Sequence, residues 1–259
     1  MRDTILALLA ELERVHGVRI LHACESGSRA WGFASTDSDY DVRFLYLRPR
    51  EWYVRVHEPP TTGRDSVIEH MSDDRVLDAA GWDLRKALAL LHKSNPPLFE
   101  HLHSPITYRT SAAADELRRL AERYYSPARC LGHYLHMAQG NFDAYLAGEE
   151  VPTKKYLYVL RPVLACRWIE HGRGVTPVEF AHLLEHGLPR EHAPLAREVD
   201  ELLAKKRAGH ELDVGSRLPA LHVFLADELR RLAAVFRAHK AEEIDIAPLD
   251  EFFRRTAGF

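Results

Sequence analysis

Ile5, Leu8, Leu9, Leu12 and Val15 recur three and four residues apart, which predicts an amphipathic helix over 4–15 stopped by His16-Gly17. Val18 to Cys24 is a short, nearly continuous apolar run and predicts a buried strand, broken by the turn-forming Glu25-Ser26-Gly27-Ser28. Beyond the loop chemistry of Ser35-Thr36-Asp37-Ser38, residues 40–47 alternate Val42, Phe44 and Tyr46 against Asp41, Arg43 and Leu45, the period of a second strand. Further extended segments are predicted at 52–56, 66–70 and 75–79, divided by Pro59-Pro60-Thr61-Thr62-Gly63 and Ser72-Asp73-Asp74. From Trp82 the spacing turns helical through Leu84, Leu88 and Leu91, and Asn95-Pro96-Pro97 ends that helix ahead of a short one at 98–102. After Pro105 the periodicity is helical throughout, predicting helices at 111–124, 127–147, 153–171, 176–186, 191–207 and 219–239, a loop at 213–218 and a short helix at 249–255. A small mixed sheet followed by a helical domain is the architecture this pattern predicts, with the first domain closing near Pro105.

The composition is globular, 46% hydrophobic and 28% charged over 259 residues, and no stretch approaches the ~18 uninterrupted apolar residues of a membrane span. Met1-Arg2-Asp3-Thr4-Ile5 runs straight into the first amphipathic pattern, without the apolar core of a secretory signal, so a cytoplasmic location is the expectation. Three widely spaced cysteines, Cys24, Cys130 and Cys166, suit small buried residues rather than a disulfide framework or a C-x-x-C metal site. Sixteen histidines are scattered without a paired helical motif such as H-E-x-x-H. A net charge of -3 gives no global basic signature, which weighs against a long polynucleotide as substrate.

Chemistry concentrates between residues 23 and 43, where a Gly-Ser pair is followed, ten residues on, by Asp39-Tyr40-Asp41 opening a strand. Alternation along a strand puts Asp39 and Asp41 on one face, and two like charges so close are the usual setting for a bound Mg²⁺. Gly27, without a Cβ, lets backbone approach a phosphate, the Ser28 hydroxyl and nearby N–H groups supply donors, and Arg29 adds a charged one. Asp37 reads as a turn residue bonded to its own backbone. Trp31 and Phe33 suit core packing or base stacking. Lys154, Tyr158 and Arg161 fall at helical spacing, as a triphosphate-binding face or a solvated cationic one.

An apolar strand, Gly27-Ser28, ten residues and then Asp39-x-Asp41 resembles the signature of DNA polymerase β type nucleotidyltransferases. The fuller string Gly27-Ser28-Arg29-Ala30-Trp31-Gly32-Phe33 through Asp41-Val42-Arg43 looks like the RlaP-like branch, predicted nucleotidyltransferases associated with RNA-repair operons. A second block, Leu77-Asp78-Ala79-Ala80-Gly81-Trp82-Asp83-Leu84-Arg85-Lys86, followed by Lys93-Ser94-Asn95-Pro96 and Glu100, is similar to that branch in order and spacing. The resemblance implies an α+β fold, with a polymerase β-like nucleotidyltransferase domain at 1–105, an all-helical domain at 106–259 and the site in a cleft between them. It implies Mg²⁺ (or Mn²⁺) held by Asp39 and Asp41, a third carboxylate at Asp78, and an NTP bound by Gly27, Ser28, Arg29, Lys86, Lys154, Tyr158 and Arg161. Asp83 is the rival for the third carboxylate, although its place before a helix suits an N-cap better. The implied reaction moves a nucleoside monophosphate to a hydroxyl of an RNA end, a protein or a small molecule, releasing pyrophosphate. The alternative is a catalytically silent nucleotide-binding or partner protein in an RNA-repair or toxin-antitoxin system.

Overall fold

The computed structural model describes residues 1–56, 66–209, 214–238 and 244–259. The chain divides into two compact units, one of Met1–Ala30, Asp39–Tyr125 and Glu243–Phe259, the other of Trp31–Ser38 and Ser126–Glu242, each taken within the described residues. The break between them therefore falls twenty residues beyond the expected boundary at 105, and the C-terminal segment returns to the first unit.

The first unit is built on a five-stranded mixed sheet in the order β3-β4-β2-β1-β5. Its strands are β1 (Arg19–Glu25), β2 (Tyr40–Leu47), β3 (Val67–Met71), β4 (Leu77–Asp83) and β5 (Thr107–Arg109). β2 and β4 are parallel, and the other pairs are antiparallel. Strict alternation along β4, and alternation over Asp41 to Phe44 of β2 before its fully buried end, gives the sheet two unlike faces. Val42, Phe44, Tyr46, Leu77 and Ala79 join Ile5, Leu9 and Leu12 of α1 (Arg2–His16) in one apolar core. Asp41, Arg43, Asp78 and Ala80, at the intervening positions, belong to the opposite face. Gly81 on β4 permits this packing, since a Cβ there would lie 2.1 Å from the Phe44 ring. α4 (Leu84–His92), α5 (Pro96–Leu102) and α6 (Ala112–Tyr124) contact the sheet or one another, and α12 (Ala247–Ala257) packs on α4.

The second unit is organised by α8 (Lys155–Glu170), which is apolar nearly all round and packs on α7 (Pro127–Tyr145), α9 (Phe180–Gly187) and α11 (Pro219–Ala238). α10 (Ala193–Arg207) lies against α11, and a two-stranded ladder joins β6 (Glu150–Pro152) to β7 (Val214–Ser216).

The helices and the first two strands follow their predicted spans to within a few residues. Three corrections stand beside them. Residues 52–56 form no strand: Arg50–Tyr53 is a single helical turn, α3, after Pro49. The Tyr53 hydroxyl fixes it, accepting the Arg48 N–H at 3.0 Å and donating to Asp83 at 2.8 Å. Glu25 belongs to β1 instead of breaking it, and its side chain is 1% exposed. The chain after 105 is not wholly helical, because β5, β6 and β7 occur there, each three residues long and too short to show a period. The predicted break at Pro59-Gly63 and the start of the loop at Asp213 lie outside the described residues.

Candidate active site

The parallel pairing of β2 and β4 sets Asp41 directly across from Asp78. Arg43, two residues along β2 and therefore on the same face, donates one Nη to Asp41 at 2.9 Å and to Asp78 at 2.7 Å. Its other Nη donates to the carbonyls of Val42 at 3.1 Å and Asp78 at 3.2 Å. All three side chains are partly exposed, so the cluster is open to a ligand.

The Gly-Ser turn meets this cluster at Asp41. Gly27 has φ +57°, and a Cβ on it would fall 2.0 Å from Asp41 Oδ2. The Ser26 N–H donates to the Asp41 carbonyl at 2.8 Å, tying the turn to the opening of β2. Both halves of the sequence motif are thereby in contact, as the spacing requires. Ser28 and Arg29 continue into the short helix α2 (Gly27–Trp31). The Arg29 guanidinium lies 3.7 Å from the Tyr40 ring centroid and donates to the Asp39 carbonyl at 3.0 Å. Asp39 is exposed, one residue ahead of β2.

Glu25 buttresses Asp41 from below, and the sequence pattern did not single it out. Its carboxylate accepts the Asp41 N–H at 2.7 Å and the Tyr108 hydroxyl, while its own carbonyl accepts from Ser104 Oγ at 2.6 Å. Burial pushes the Glu25 carboxyl above the usual range, against the lowering effect of those two hydrogen bonds. The only local signal was a carboxylate at the end of an apolar strand, directly before the Gly-Ser turn. Arg43 was visible within the motif but carried no role there.

Asp83 is 2% exposed at the N-cap of α4, where it accepts the Arg85 N–H at 2.9 Å and the Tyr53 hydroxyl. Burial raises its carboxyl above the usual range. That is a structural post, whereas Asp78 stands beside Asp41. Lys86 is half-buried on α4.

Lys154, Tyr158 and Arg161 belong to the other unit. Lys154 is exposed ahead of α8, and Tyr158 meets Trp31 edge-on. Arg161 is 4% exposed, stacks 4.5 Å from the Trp31 ring and donates to the Val178 carbonyl at 3.3 Å. Phe33 packs edge-on against Phe180, so this aromatic pair serves core packing within that unit. Asp37 accepts from Ser35 and from its own backbone, the local bonding expected of a turn, and Lys206, far along the chain, donates to Ser35 Oγ at 3.1 Å.

Among the described residues, no group of three or more His, Cys, Asp or Glu side chains is arranged to hold a metal ion. The Asp41–Asp78 pair nonetheless offers the donor set of a hard cation: Mg²⁺ is commonly held by one or two carboxylates with substrate phosphates completing its shell. Cys24, Cys130 and Cys166 are buried and form no disulfide, and burial pushes the Cys24 thiol up to about 12, which disfavours its thiolate. No helix among the described residues is long and apolar enough to cross a membrane.

A mixed sheet carrying a Gly-Ser turn against paired strand carboxylates is the arrangement that the polymerase β-like class is expected to present. The chain belongs to the RlaP family, described as an RNA repair pathway DNA polymerase beta family, which it matches over residues 1–255. It is 42% identical over 247 residues to the uncharacterized protein YcgL of Bacillus subtilis (strain 168), covering 95% of this chain and 92% of that one. A nucleotidyltransferase-like protein from Exiguobacterium sibiricum 255-15, known from a crystal structure, aligns with 11% identity and a TM-score of 0.32, covering 89% of this chain and 75% of that chain. That last likeness is too loose to bear on fold or chemistry.

Proposed function

We propose that the protein transfers a nucleoside monophosphate from an NTP to a hydroxyl acceptor and releases pyrophosphate. The observation that carries this is the meeting of the Gly27 turn with a carboxylate pair, Asp41 and Asp78, drawn from two parallel strands. Phosphoryl transfer asks the protein mainly for position and charge, and these groups supply both. Gly27 and Ser28 receive the terminal phosphates, with Arg29 as a charged donor beside them. Asp41 and Asp39 face the nucleotide, and Asp78 faces the acceptor hydroxyl and takes its proton as the oxygen bonds the α-phosphorus and the bond from that phosphorus to the leaving pyrophosphate breaks. When bound with the nucleotide, Mg²⁺ or Mn²⁺ neutralises phosphate charge and lowers the acceptor hydroxyl's pKa. Glu25 holds the Asp41 backbone, so the carboxylate does not reorganise during the reaction.

The acceptor is an RNA end, a protein hydroxyl or a small molecule. The family description favours RNA, and the net charge of -3 favours a short contact over a long polynucleotide track. Incubation of the purified protein with each α-³²P NTP, Mg²⁺ or Mn²⁺, and pooled RNA or cell extract tests the proposal, alongside Asp41→Asn and Asp78→Asn proteins. Label entering an acceptor in the wild type alone supports transfer. NTP binding without pyrophosphate release by any nucleotide would instead favour a silent nucleotide-binding partner.

A further inference from the structure

Arg43 pairs with both carboxylates from β2, the strand that also carries Asp41. Its neighbour across β4 is Ala80, a small residue beside a long one, and its guanidinium reaches back to the level of Asp41 and Asp78. The Nη that touches neither carboxylate is anchored on two backbone carbonyls, so the guanidinium plane is fixed from behind. One positive charge thus faces two carboxylates in the position where a cation shared by both would sit.

We propose that Arg43 is the resident counter-ion of the nucleotide-free protein. It holds Asp41 and Asp78 in register and yields to a divalent cation only when that cation arrives on nucleotide phosphates, so metal occupancy depends on nucleotide. A free aqueous cation must shed water and displace a charge-assisted donor at once, with only two carboxylates as its return. A cation already carried by a triphosphate needs fewer protein ligands. The phosphates also give the displaced guanidinium an acceptor suited to its planar fork. Arg43 is on this view a positioning residue, and its role rests on the assignment of Asp41 and Asp78 made above.

The test is Mn²⁺ titration of the full chain followed by electron paramagnetic resonance, at mildly alkaline pH, with and without a non-hydrolysable α,β-methylene NTP. Without nucleotide, Arg43→Met is expected to bind Mn²⁺ about tenfold more tightly than the wild type, which is about 1.4 kcal/mol. Arg43→Lys keeps the charge and should stay close to the wild type. The analogue should tighten Mn²⁺ binding more in the wild type than in Arg43→Met, since only the wild type has an internal cation to displace. A folded Arg43→Met protein that binds free Mn²⁺ no better than the wild type overturns the inference, provided the wild type binds Mn²⁺ with nucleotide. Should Arg43→Met not fold, equal Mn²⁺ affinity of the wild type with and without analogue overturns it on its own. Asp41→Asn and Asp78→Asn separate the two levels: unchanged Mn²⁺ binding in both removes the metal-site assignment itself.

Discussion

Gly27 and Asp41 are in contact across the opening of β2, and the contact has no room for a side chain: a Cβ on Gly27 would lie 2.0 Å from Asp41 Oδ2 and 2.8 Å from its Cγ. The backbone at Gly27 is also left-handed, at φ +57°. Any other residue there meets two penalties at once, strain of roughly 1–2 kcal/mol and displacement of a functional carboxylate. Gly27→Ala is therefore expected to lower transfer by about 100-fold, the scale of a misplacement near 1 Å, while costing only modest stability. Single-turnover labelling together with a thermal melt checks this, and full transfer by a folded Gly27→Ala protein would contradict it.

Asp78 and Asp83 are expected to separate cleanly. Asp78→Asn should lower transfer by about 10²- to 10⁴-fold with little change in melting temperature, as for loss of a group acting at a reacting hydroxyl. Asp83→Ala should keep the chemistry but lose about 2 kcal/mol, from the helix cap and from the buried Tyr53 hydroxyl left without its acceptor. Denaturant unfolding beside the transfer assay distinguishes them, and the opposite pattern would move the third carboxylate to Asp83.

Glu25 gives a pH dependence with a definite sign. Its folded-state pKa is raised above 4.5 by burial, so the folded protein holds this proton more tightly than the unfolded chain. The stability it contributes is whole below pH 4.5 and is lost as pH rises through the folded-state value. Glu25→Gln has no proton to lose there and can still accept the Asp41 N–H. Its melting temperature relative to the wild type should climb with pH across that window, and a flat difference would refute the assignment.

His101 acts in the opposite sense. Burial lowers it from 6.5 to about 3, its ring lying against Trp82 at 4.9 Å between centroids. The unfolded chain takes up the proton first, so this contribution is present above pH 6.5 and lost as pH falls towards 3. His101→Phe keeps a ring on Trp82 and should flatten the acid limb of the stability curve by up to one proton. Guanidinium titrations at a series of acidic pH values measure that slope.

In the second unit, Arg161 and Lys154 should differ in stability although both are cations of α8, one within the helix and one at its N-cap. Arg161→Ala removes a buried stacking partner of Trp31 and the donor to Val178, at a cost of about 3 kcal/mol. Lys154→Ala, at an exposed position, should stay within about 0.5 kcal/mol of the wild type. Equal melting temperatures for the two variants would show that Arg161 is not the packed residue described here.

Much of this was legible along the chain because it is local. The alternation of Val42, Phe44 and Tyr46 against Asp41 and Arg43 needed only the period of a strand, and the helices needed only their three- and four-residue spacing. Gly27, Ser28, Asp39 and Asp41 stand within one short stretch, so their motif and the family it belongs to could be read there. Register between distant strands leaves no such trace. Asp78 faces Asp41 because β4 pairs with β2 in parallel at one particular offset, and a slip of one residue would have turned Asp78 into the apolar core. Arg43 bridges the two carboxylates only in that register, and Glu25 reaches the Asp41 N–H only because β1 lies beside β2. Three-residue strands such as β5 are held by their ladder partners and by side chains like Tyr108, contacts that close only when the chain has folded. Local periodicity is a property of consecutive residues, and hydrogen-bond pairing is a property of residues far apart in sequence. The amino-acid order alone therefore determined most of the helices, the first two strands and the motif, while tertiary pairing decided the short strands and which charges meet.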